Sequence, residues 1–114
     1  MTTDQLGKLS ERELLELLGL ELVKGDSAAF PFAPERLIHI AEDWLARNRE
    51  VLCSLVCSDS RLQQFCRHQN VEDAILVGHI AVLLSHQLEV ETSIVAVLLV
   101  RRGLNALCRT QWKD

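Results

Sequence analysis

The stretch "SIVAVLLVRR", residues 93–102, places seven apolar residues in a row in front of two arginines. It reads as a membrane anchor, a strand, or a helix buried on every side, and the choice between these decides the fold. Residues 94–100 would extend about 10 Å as a helix, against about 30 Å of bilayer hydrocarbon. The other apolar run, "AILVGHIAVLL" at residues 74–84, carries a histidine and is also too short. No segment is therefore expected to span a membrane.

The β-branched residues of 94–100 suit a strand. Two features oppose that reading. Leu104, Leu107 and Cys108 continue the spacing of Val97 and Val100 at helical steps. No second strand-like segment exists to pair with it, and an unpaired strand would bury its own backbone groups unsatisfied. The expectation is a helix over about residues 92–109, its first half buried all round. Arg101, Arg102 and Arg109 fall in its C-terminal half, where the helix dipole favours cations. Gly103 weakens its last turns.

Working back toward the N-terminus, the same helical periodicity recurs. Ser10 and Glu13 have the spacing of a capping box. Leu14, Leu15, Leu18 and Leu22 follow at helical steps, and Gly25 is placed to end that helix. "GDSAAFPFAPER" is linker-like, with Phe30 and Phe32 expected on the core. Pro34 suits the first turn of a second helix running to about Cys57. That helix carries two apolar seams. Asn48 interrupts one of them, either as a buried polar group or as the cap of a second piece. Ser58 or Ser60 is expected to cap a short helix burying Leu62, Phe65 and Cys66. Asn70 is expected to cap a helix over about 71–88, whose narrow polar line is Glu72, His79 and His86.

Chain length supports these assignments. A chain of 114 residues is one domain by size and buries about two-thirds of its unfolded surface. Apolar residues make up 48% and charged residues 25%, which excludes disorder. Aromatic content is only 4%, so the apolar mass is largely Leu, Val, Ile and Ala. The fold class expected is all-α, a compact bundle of five or six helices over residues 1–114, with the late helix central.

The net charge of −4 sits in the first half of the chain: residues 1–57 carry ten acids and six bases, residues 58–114 six of each. An acidic chain repels phosphate backbones, and a helix-turn-helix forced onto 71–108 would present side chains without hydrogen-bonding groups to the bases. No nucleic-acid partner is expected. No GxSxG, Walker A, GxGxxG or HExxH pattern occurs, so no catalytic residue and no cofactor is assigned.

Four cysteines, Cys53, Cys57, Cys66 and Cys108, follow an N-terminus that lacks a basic segment and then an apolar one. They are read as reduced, cytoplasmic thiols and small core residues. Cys53 and Cys57, one helical turn apart, could with Cys66 and His68 make a four-ligand metal set, although the spacing is not that of a zinc finger. Glu72, His79 and His86 lie about 10 Å apart in succession, too far to act together as a proton-transfer site. The LxxLL form at residues 14–18 is read as core-facing.

These readings point to a non-enzymatic protein–protein interaction or adaptor module with a protein partner or a second copy of itself. The surface expected to serve is Leu37, Trp44 and Leu45, unless the neighbouring helices cover it. The alternative is a metal- or thiol-dependent regulatory domain using Cys53, Cys57, Cys66 and His68.

Overall fold

The computed structural model describes residues 3–24, 33–67, 72–88, 90–109 and 111–112. Every regular element among them is a helix: α1 (Thr3–Gly7), α2 (Glu11–Val23), α3 (Pro34–Arg47), α4 (Arg49–Cys57), α5 (Ser60–Arg67), α6 (Asp73–Ser85), α7 (Thr92–Arg102) and α8 (Leu104–Leu107). None is long and apolar enough to cross a membrane. The bundle has more pieces than expected because two helices are divided and α1 precedes the first one foreseen.

The stretch at 93–102 is the central helix. All six residues from Ile94 to Leu99 are buried, with Val95, Ala96 and Leu98 wholly inaccessible. α6 packs along α7, and α1, α2 and α8 also lie against it. The core is completed by Leu14 and Leu18 of α2, Leu52 and Val56 of α4, Leu62 of α5, and Ile80 and Leu84 of α6. The LxxLL leucines Leu14, Leu15 and Leu18 all face inward.

Local chemistry explains the helix ends. The Ser10 hydroxyl accepts from the Glu13 backbone N–H at 3.1 Å, and the Glu13 carboxylate accepts from the Ser10 N–H at 3.0 Å, the capping box that the spacing implies. The backbone hydrogen bond of Ser10 holds the Glu13 carboxyl below its usual value. α2 closes at Lys24, whose N–H bonds the Glu21 carbonyl. The expected Gly25 terminator, Phe30, Phe32 and the Asn70 cap lie outside the described residues.

The expected helix over 34–57 bends at Asn48, which takes φ −102° and ψ 9°. Asn48 does not cap α4 with its side chain. Its Nδ2 donates back to the Trp44 carbonyl at 2.9 Å, and its backbone keeps helical hydrogen bonds on both sides, to Trp44 and from Leu52. The half-buried amide is satisfied by its own helix, so the polar group that broke the apolar seam marks a kink.

α7 stops at Arg102 because Gly103 takes φ +102°, a conformation that side chains with a Cβ rarely adopt. The two arginines before it face outward and tie the bundle together. Arg101 donates to the carbonyls of Gly7, at 2.8 Å, and Leu9, which closes the C-terminal end of α1. Arg102 pairs with Glu11 of α2 at 2.7 Å and with Glu42 of α3. Partial burial works against its charge, but the two carboxylates outweigh that and raise the guanidinium pKa.

α5 is capped by Asp59, and by neither Ser58 nor Ser60. The Leu62 backbone N–H donates to Asp59 Oδ1 at 2.8 Å. The Ser58 hydroxyl donates instead to the carbonyl of Ser54, back along α4.

Candidate functional site

The cysteines lie where α4 meets the C-terminal turn. Cys57 ends α4 and Cys108 follows α8, and the two form a disulfide across 51 residues of sequence. Both are buried, at 5% and 1% exposure. This overturns the expectation of four reduced thiols. Cys53 and Cys66 are the free ones, each half-buried. The Cys53 thiol donates to the Leu107 carbonyl at 3.6 Å, and the Trp112 indole N–H donates to the Cys57 carbonyl at 2.7 Å. Three side chains thus hold the chain after Gly103 against α4: Cys108, Trp112 and, through its thiol, Cys53.

The proposed metal set does not survive this arrangement. Cys57 is committed to Cys108, and a disulfide sulfur is not the thiolate that a metal requires. Burial pushes the Cys66 thiol up, further from the ligating form. His68 lies outside the described residues. Among the described residues no group of three His, Cys, Asp or Glu side chains is placed to hold a metal ion. Sequence separation concealed the true partner. Cys108 stands far from the other three, and helical spacing from Val97 and Val100 suggested only that it faces inward.

Glu72, His79 and His86 do not form a solvent line. Glu72 and His86 flank the two ends of α6 and are exposed. His79 turns toward α5: its Nε2 lies 3.0 Å from Asp59 Oδ1, and its ring meets Phe65 edge-on with centroids 5.8 Å apart. Partial burial raises the Asp59 pKa, but the Leu62 N–H, His79 and the Arg61 backbone together hold it below the ordinary carboxylate value. Asp59 is therefore a single acceptor shared by a helix cap and a cross-helix pair.

The surface expected at Leu37, Trp44 and Leu45 is largely covered. Leu37 is 6% exposed and Leu45 8%, and Trp44 is half-buried against the core. Gly19 of α2, itself buried, lets α2 lie directly on the backbone of Leu37. An apolar cleft of about 400 Å³ does open between α3–α4 and α7–α8, floored by Leu45, Leu52, Leu98 and Leu99, with exposed Glu42, Arg49 and Arg102 beside it.

An uncovered apolar face belongs to α6. Val77, Ile80 and Leu84 are buried beneath it, whereas Ile75 is 52% exposed and Val82 63%. Gly78 stands between those two, and a Cβ there would meet nothing within 4 Å. From Ala74 to Ser85 the helix carries no Asp, Glu, Lys or Arg. A helix apolar all round normally has neighbours all round; this one lacks them on one side.

No family model matches the chain, and no curated protein or solved structure matches it either.

Proposed function

We propose that the chain is a non-enzymatic protein–protein interaction module that pairs with a second copy of itself through the outer face of α6. The observation that carries this reading is the exposure of Ile75 and Val82 on a helix without charged side chains between its ends. At a net charge of −4, two copies repel; a contact through this face adds no like-charge pair to that repulsion. Gly78 at its middle lets two helices approach closely, and symmetric pairing needs no further component.

Covering the exposed halves of Ile75 and Val82 stabilises by about 1 kcal/mol each, so the four side chains of a symmetric contact contribute about 4 kcal/mol. Association itself costs about 4 kcal/mol or more in lost translational and rotational freedom, so stable pairing also draws on the small residues and backbone of the same face. Sedimentation equilibrium up to about 1 mM protein tests the reading. Concentration-dependent dimerisation that Val82→Lys abolishes supports it. A monomer throughout the range, or a dimer that tolerates Val82→Lys, refutes it.

The disulfide favours a second reading, a thiol-dependent regulatory domain. Cytosolic disulfides are characteristically transient and redox-sensing, so a cytoplasmic location and a Cys57–Cys108 bond are consistent when that bond cycles. A metal site would need Cys57 as a free thiolate, which the bond to Cys108 does not leave.

A further inference from the structure

Three of the four cysteines converge on the junction of α4 and α8. Cys53 precedes Cys57 by four residues, one turn up the same face of α4, a rise of about 6 Å. Its thiol reaches across to α8, donating to the carbonyl of Leu107, the residue bonded to Cys108. Cys57 and Cys108 are closed to solvent, while Cys53 is half-buried. The half-buried Cys53 thiol thus lies one helical turn from Cys57 and bonds the carbonyl of the residue before Cys108.

We propose that Cys53 is the exchange thiol of the Cys57–Cys108 disulfide, so that α8 has two alternative covalent attachments to α4 and small thiols open the bond by way of Cys53. This deepens the thiol-dependent reading above and rests on it.

The step balances within the chain. Cys53 gives up its proton to solvent, and the thiolate attacks Cys108 Sγ along the axis of the existing bond. The Cys53–Cys108 bond forms as the Cys57–Cys108 bond breaks. The electron pair leaves on Cys57 Sγ, which takes up a proton. One disulfide and one thiol are present before and after, so no oxidant or reductant is consumed. Cys108 is the target because the Cys53 thiol is turned toward α8. Opening the relocated bond then uses two molecules of a low-molecular-weight thiol. The first forms a mixed disulfide with one cysteine, and the second releases that cysteine and leaves as the oxidised dimer of the small thiol.

Tryptic cleavage makes the exchange measurable. Cys53 and Cys57 share peptide 50–61, Cys108 lies in 103–109, and Cys66 lies in 62–67. Oxidised protein is treated with reduced glutathione, quenched in acid, alkylated and digested, and loss of the 50–61/103–109 pair is followed by mass spectrometry. Cys53→Ser keeps the native disulfide but should lose the pair at least about tenfold more slowly than wild type, because the neighbouring intramolecular thiol is gone. Equal rates overturn the proposal.

Cys57→Ser supplies the second arm. After equilibration with oxidised glutathione it should still yield the 50–61/103–109 pair, now necessarily through Cys53. Unlinked peptides, or a link from 62–67, overturn the proposal. Should this variant not fold, the Cys53→Ser kinetics decide alone. Absence of the linked pair from oxidised wild type is a different result, which removes the thiol-dependent reading itself.

Discussion

Gly19 of α2 lies directly on the backbone of Leu37 in α3: a Cβ at position 19 would come within 2.8 Å of the Leu37 carbonyl carbon and nearer still to its oxygen. Backbone cannot swing aside as a side chain can. Gly19→Ala should therefore push α2 from α3 and destabilise the fold by about 1–3 kcal/mol, the range of overpacking in a tight core. Chemical denaturation measures it. A midpoint equal to wild type would show that the two helices are not in this contact.

Val97 tests the central helix. It is 4% exposed in the middle of the six buried residues of α7. Val97→Asp buries a carboxylate within this apolar helix, which costs several kcal/mol against a total stability of about 5–15. The variant should lose its cooperative thermal transition. A melt within a few degrees of wild type would contradict the placement of α7.

Asp59 carries a pH signature. Asp59→Ala removes the α5 cap and the partner of His79 together, and should destabilise by about 1 kcal/mol or somewhat more. Folding lowers the Asp59 pKa, so its contribution is present above the unfolded value of about 3.9 and is lost as pH falls through the lower folded value. The stability gap between wild type and variant should accordingly be full at neutral pH and narrow below about pH 4. A gap that does not change with acid would contradict the ionised pairing.

Arg102 is the counterexample. It joins α7 to Glu11 and Glu42, yet all three side chains are over a third exposed. Solvent screens such pairs, so Arg102→Gln should cost at most about 1 kcal/mol and the loss should shrink in high salt. A larger, salt-independent loss would mean that the pairs are better shielded than their exposure implies.

Features with a local cause were legible in the sequence. The capping box at Ser10 and Glu13 depends on three residues of spacing, and the burial of α7 on an unbroken apolar run. What the sequence concealed depends on approach between distant segments. Gly19 was one glycine inside a leucine-rich helix, and only the crossing of α3 gives it a role. Trp44 suggests a docking surface because its packing against the core has no signature in the sequence of α3. His79 sat on an apparent polar line, and its turn toward Asp59 left the exposed side of α6 to Ile75 and Val82. Cys108 lies 51 residues from Cys57, a separation at which helical periodicity carries no information about pairing.

The association of the C-terminal turn with α4 is the relationship on which both the packing and the redox reading depend, and peptide mapping reads it directly. Wild-type protein equilibrated with oxidised glutathione, alkylated under denaturing conditions without reductant and digested with trypsin, should give peptide 50–61 joined to 103–109, with label on the remaining cysteine of 50–61 and on 62–67. Recovery of all four cysteines in alkylated, unlinked peptides, or of 103–109 joined to 62–67, would contradict the account.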